Sequence, residues 1–208
     1  MTTFYLVRHG ETEWNVERRI QGWADSPLTS LGLAQAEIHG QLLGKFGIDR
    51  IIGSPLGRAM QTVAPIVRET NVPAEYDVRL REVCMGDWSG RTSLELQSLY
   101  LDQWQARQDD PEGYCPPNGE SRLDVKRRVA PLVAELNDAS HQEVVLVSHG
   151  ITIRMLLDLL LGFSDHARQK LRVPNDLVYC VEVGSSDTTV MHYVSGKGPF
   201  EGLFIPQR

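Results

Sequence analysis

Cysteine is scarce in this 208-residue chain, and the three present, Cys84, Cys115 and Cys180, are an odd, widely spaced set with no CxxC pair. That argues against a disulfide framework and a cysteine-based zinc site, and it predicts a reducing, cytoplasmic setting. Long apolar runs are missing as well. No stretch approaches the ~18 residues that cross a bilayer, and the opening MTTFYLVRHG reaches charge and glycine too soon for a secretory leader. The expectation is a soluble, unexported protein that engages no membrane. Positive charge is in deficit: 21 Lys and Arg against 27 Asp and Glu leave a net charge of −6, with no basic field for nucleic acid. Any anion must therefore be gripped locally. Repeats, low-complexity tracts and Ser/Gly linkers are also lacking, while 41% hydrophobic and 23% charged residues are ordinary globular values.

What is present is an alternation of strand-like and helix-like segments. Thr3 to Val7 and Glu143 to Val147 read as buried parallel strands, and Arg50 to Gly53 as a shorter one. Leu31, Ala34, Ile38, Leu42 and Phe46 recur at helical spacing, with Thr29 as N-cap and Gly47 as stop. Met60, Val63, Ile66 and Val67 mark a second helix, Gly150 to Leu161 a strongly apolar one. A further helix capped by Ser121 carries Val125, Val129, Val133 and Leu136, and Pro131 inside it predicts a kink or a late start. Tyr76 to Leu80, Leu177 to Val183 and Thr189 to Val194 read as additional strands, and Ser195 to Arg208 as a tail. Val83 to Gly119, rich in Gly and Pro around one helical piece near Leu94 to Trp104, reads as a lid or specificity insertion. The pattern predicts a single domain over residues 1–208, an α/β sandwich with a mostly parallel sheet.

Two strands end alike: Tyr5-Leu6-Val7 runs into Arg8-His9-Gly10, and Val144 to Val147 runs into Ser148-His149-Gly150. Ligands of open α/β sheets bind at the carboxyl ends of strands, so two histidines delivered there point to one pocket. One such histidine alone would read as a turn or core residue. Arg8 and Arg58, the latter at the start of a helix, offer planar forks for phosphate oxygens, and Glu82 follows a strand between positive charges. Phosphoryl transfer without a metal needs these parts: an imidazole nucleophile, cations on the equatorial oxygens and a carboxyl that handles the leaving proton. Arginine neighbours would repel a cation bound by His9 and His149, so no metal and no cofactor is expected. Trp14, Trp23, Trp88 and Trp104 read as packing more than as pocket walls, and His39, His141, His166 and His192 as structural or surface residues.

Leu6 to Asn15 (LVRHGETEWN) resembles the signature of the histidine phosphatase superfamily, the phosphoglycerate mutase-like proteins. Gln21 to Thr29, Ser54 to Thr62, Leu80-Arg81-Glu82, Gly86 to Gly90, Gly119-Glu120-Ser121 and Val147 to Gly150 resemble later blocks of the same family. The resemblance implies a three-layer sandwich and a phosphohistidine on His9, with Glu82 as proton donor and acceptor and Arg8, Arg58 and His149 completing the phosphate pocket. It also implies substrate contacts at Thr12, Asn15, Gln21, Gly22 and Gly150. The Tyr- and Lys-rich insertion of the mutases is missing after Glu82, whereas Gly-Asp-Trp-Ser-Gly and Pro-Pro-Asn-Gly-Glu-Ser look more like the phosphatases. The leading expectation is a metal-independent phosphatase acting on a small phosphorylated metabolite, as a monomer or homodimer. A phosphoglycerate mutase and a non-catalytic phosphate sensor are the alternatives.

Overall fold

The computed structural model describes residues 1–137, 142–163, 171–184 and 187–204. His141, His166 and the last four residues of the expected tail lie outside them. In chain order the elements are β1 (Thr2–Arg8), α1 (Glu13–Val16), α2 (Ser30–Leu43), β2 (Arg50–Gly53), α3 (Gly57–Thr70) and β3 (Ala74–Tyr76). Then come α4 (Ser93–Leu99), α5 (Leu101–Asp109), α6 (Arg122–Asn137), β4 (Gln142–Ser148), α7 (Gly150–Leu161), β5 (Leu177–Val183), β6 (Thr188–Val194) and β7 (Lys197–Glu201). The strands form one sheet in the order β3-β2-β4-β1-β5-β6-β7. Its β3-β2-β4-β1 part is parallel, and β5, β6 and β7 extend it antiparallel.

Successive β1 side chains go to opposite faces, as the pleat requires. Tyr5 and Val7 join Leu42, Val63 and Ile66 of α2 and α3 in one core, while Phe4 and Leu6 join Val129 and Leu156 of α6 and α7 in the other. The result is three layers, helices covering both faces of the sheet. β1 and β4 are apolar through most of their lengths because they are buried on both sides.

Several local expectations are corrected. Tyr76 to Leu80 is not a strand: β3 ends at Tyr76, and Asp77 accepts from Arg79 N at 2.7 Å to start a 3-10 turn over Val78–Leu80. The helical piece near Leu94 to Trp104 is two helices that break at Tyr100, the first opened by a capping box between Thr92 and Glu95. Pro131 neither delays nor ends α6, which begins at Arg122, because Val125, Val129, Leu132, Val133 and Leu136 are buried along it and that burial outweighs one lost backbone bond. α2 stops at Leu43 with Gly44 as its cap, three residues before Gly47. The tail contains β7, which pairs with β6. His39, expected to be structural or at the surface, is fully buried and structural. No described helix is long and apolar enough to cross a membrane.

Where β1 exits the sheet, its loop presses on the start of α2. A Cβ on Gly32 would collide with the Glu11 carbonyl oxygen, and one on Gly10 with the Gly32 carbonyl. Gly32→Ala is therefore expected to destabilise the fold by about 1–3 kcal/mol. A thermal midpoint several degrees lower would show this; an unchanged midpoint would show that the loop yields freely.

Candidate active site

The register explains why two His-Gly strand ends meet. β1 and β4 are parallel neighbours with Arg8 beside Ser148, so the next residues, His9 and His149, emerge side by side. Their ring centroids are 5.1 Å apart. β2 lies on the other side of β4 with Gly53 beside Val147, which brings Ser54 Oγ to 2.7 Å from His149 Nε2.

His9 is 3% exposed, and its Nδ1 lies 2.8 Å from the Gly10 carbonyl oxygen. A carbonyl only accepts, so Nδ1 carries the proton and Nε2 keeps its lone pair. Burial, with Arg8 and Arg58 alongside, holds His9 well below the usual imidazole range. The nitrogen free of the Gly10 bond is therefore unprotonated at neutral pH. Asn175 Nδ2 donates to the His9 carbonyl at 2.7 Å, and the buried His39 is in turn 2.9 Å from the Asn175 carbonyl, so His39 serves structure. His149 is pushed in the same direction by burial, then by Arg58, His9 and Arg8. These neighbours favour the neutral form of His149, and an entering phosphoryl dianion acts against that shift.

Arg58, in the first turn of α3, is 1% exposed and fixed at three points: Ala24 O at 2.8 Å, Asp25 Oδ1 at 2.9 Å and Gly22 O at 2.8 Å. Its Nε has no partner among the described residues. Gly22 receives this bond in a left-handed conformation, φ 55°, that places its Cα too near Met85 N for any side chain. Arg8 is tied to Val173 O at 2.6 Å, and its Nε is also unpaired among the described residues.

The Glu82 carboxylate rests on the first turn of α7, accepting from Ile151 N at 3.2 Å and Thr152 N at 3.3 Å, and from Val83 N at 3.0 Å. Its carbonyl accepts from the Trp23 indole at 2.7 Å. Ser148 Oγ holds Leu80 O at 2.8 Å and Thr152 Oγ1 holds Arg81 O at 2.7 Å, which anchors the segment that carries Glu82 to β4 and α7.

A cavity of about 200 Å³ opens between these groups, lined by Arg8, His9, Asn15, Gln21, Gly22, Arg58 and Glu82 from the sequence reading. Three expected pocket residues are not on this wall, and one of them, His149, is fully buried beside His9. Thr12 is fully buried and takes hydrogen bonds from Asn15 N at 3.2 Å and Gln21 Nε2 at 2.7 Å, so it braces two wall residues from behind. Gly150 lies against the Arg8 guanidinium, where a Cβ would be 3.6 Å from Cζ. Arg19, Ile20, Val83, Met85, Arg107 and Ile151 complete the wall and were not singled out from sequence. Ile151 directly follows the Ser148-His149-Gly150 block and could have been flagged; Arg107, in a segment without usable periodicity, could not. Of the tryptophans, Trp88 is fully buried in core packing, and none lines the cavity. Among the described residues no group of three or more His, Cys, Asp or Glu side chains could hold a metal ion.

Residues 4–195 match the histidine phosphatase superfamily (branch 1). A probable phosphoglycerate mutase GpmB of Yersinia pestis (strain Pestoides F) is 41% identical over 177 residues, 84% of this chain and 82% of that protein. Among solved structures, a mycobacterial glucosyl-3-phosphoglycerate phosphatase, Rv2419c, in complex with VO3 is 34% identical, with a TM-score of 0.78 over 86% of this chain and 90% of that one. The alpha-ribazole phosphatase from Shigella flexneri is 26% identical, with a TM-score of 0.84 over 99% and 100%. The matched span and these likenesses place the chain in the histidine phosphatase superfamily.

Proposed function

We propose that this protein is a phosphomonoesterase that works through a phosphohistidine on His9, without a metal ion. The observation that carries the reading is the His9 ring: neutral by burial, its Nδ1 proton committed to Gly10 O, in a cavity shared with Arg8, Arg58 and Glu82. His9 Nε2 attacks phosphorus as the ester P–O bond breaks, and the Glu82 carboxyl supplies a proton to the leaving oxygen. Water then loses a proton to the Glu82 carboxylate and adds to the same phosphorus, releasing phosphate and the neutral imidazole. Arg8, Arg58 and His149 balance the charge on the phosphoryl oxygens.

Beyond the phosphoryl position the wall is Val83, Met85, Ile151 and Arg107. Arg107 packs its guanidinium 5.5 Å over the Trp104 ring and has no carboxylate partner among the described residues, and burial with neighbouring Arg122 lowers its pKa. A small leaving group with an acidic substituent matches this lining. Phosphate release in EDTA should therefore favour 3-phosphoglycerate over glycerol 3-phosphate, and Arg107→Met should raise KM for the former about tenfold and leave the latter little changed. Equal rates on both esters, unaffected by the variant, would refute the leaving-group assignment; release lost in EDTA and restored by a divalent cation would refute metal independence. The GpmB likeness keeps a mutase as the second reading, tested by conversion of 3- to 2-phosphoglycerate with 2,3-bisphosphoglycerate.

A further inference from the structure

A second cavity, of about 380 Å³, shares only Arg8 with the catalytic one. Arg154 and Arg172 join Arg8 on its wall, and the apolar part includes Val173, Val194 and Phe204. Asp176 is the single carboxylate among its lining residues. Arg154 stands in α7, one turn beyond the end that seats Glu82. It makes no ion pair among the described residues, and its Nε is buried without a partner, as is Arg8 Nε. Burial, reinforced by Arg122, Arg172 and Arg8 and opposed by Glu82, pushes Arg154 down to about 10. Arg154 and Arg8, desolvated with orphaned Nε donors, are unfavourable there until an anion joins them.

We propose that this cavity is a second anion site, taking a small organic phosphate or phosphonate whose charged head lies on Arg154 and Arg8 and whose apolar body lies on Val194 and Phe204. Two planar forks with orphaned N–H donors suit the several oxygens of such a head, and the apolar wall gives an aryl or alkyl body a dry seat. Since Arg8 faces both cavities, an anion in the second draws on the field that holds a phosphoryl group in the first. The two occupants oppose one another, and by linkage each weakens the other by the same factor.

Phenylphosphonate, which has no hydrolysable ester, is the probe. Calorimetric titration into protein saturated with orthovanadate, the competitor for the catalytic cavity, is expected to show about one equivalent still binding. Arg154→Met should weaken that binding at least about tenfold, the loss of a charge-assisted contact. Arg172→Gln, at an exposed side chain, should weaken it as well. No binding to the vanadate-saturated protein, or equal binding by both folded variants, would overturn the proposal. If vanadate fails to bind, the catalytic reading is in question, and the Arg154 and Arg172 effects on phenylphosphonate still decide this one.

Discussion

His9→Ala should lower kcat for phosphate release by at least about 10³-fold with every ester, because no second nucleophile stands in the cavity and every turnover passes through that nitrogen. The substitution removes a ring that makes one hydrogen bond, to the adjacent Gly10, so the variant should fold and still bind vanadate through Arg8 and Arg58. Retained turnover would exclude a covalent route. The same ring sets the acid limb of the pH profile. The nucleophile is the neutral form, and its pKa is lowered, so kcat/KM should hold through pH 6 and fall only below the ordinary imidazole range. Stability runs with the same sign. His9, His39 and His149 all have lowered folded-state values, so below pH 6.5 the unfolded chain binds more protons and the fold loses stability as pH drops. Phosphate or vanadate should offset that loss by favouring charged His149.

How much of this was legible in the sequence depends on whether a residue is placed by a strand or by long-range packing. His9 and His149 follow apolar strands whose carboxyl ends are aligned by the parallel register, and Arg58 opens a helix directly after a third such strand, so their convergence follows from alternation of elements alone. Glu82 is different in kind: β3 is only three residues long, and a 3-10 turn and hydrogen bonds from Ser148 and Thr152 aim the carboxylate. The sequence marks it as a carboxylate between positive charges after a strand-like segment, and the Leu80-Arg81-Glu82 match to a known family assigns its role; periodicity does not aim it. Arg107 reaches the cavity because α4 and α5 break at Tyr100, a tertiary outcome that no spacing announced. Thr12 shows the converse error. The family resemblance implies a substrate contact there, yet its hydroxyl is occupied by Asn15 and Gln21.

Glu82→Gln is the sharper test of mechanism, because its effect should depend on the leaving group. With alkyl esters such as 3-phosphoglycerate the departing oxygen needs a proton, and losing the donor should cost about 10²–10⁴-fold in kcat. With 4-nitrophenyl phosphate the leaving anion is stable unprotonated, so phosphorylation of His9 should survive while hydrolysis, which needs the base, slows. The variant should then release one equivalent of nitrophenolate in a burst and stall as phosphoenzyme. Gln is nearly isosteric, and its carbonyl can still accept from Ile151 N or Thr152 N, so the segment should keep its place on α7. A uniform loss across both substrate types with no burst would mean that Glu82 merely holds the segment in place and that another group carries the proton. A burst confined to the good leaving group would put one carboxyl on both halves of the cycle, and the seat of Glu82 on the helix turn that follows His149 would be the reason it reaches both the leaving oxygen and the attacking water.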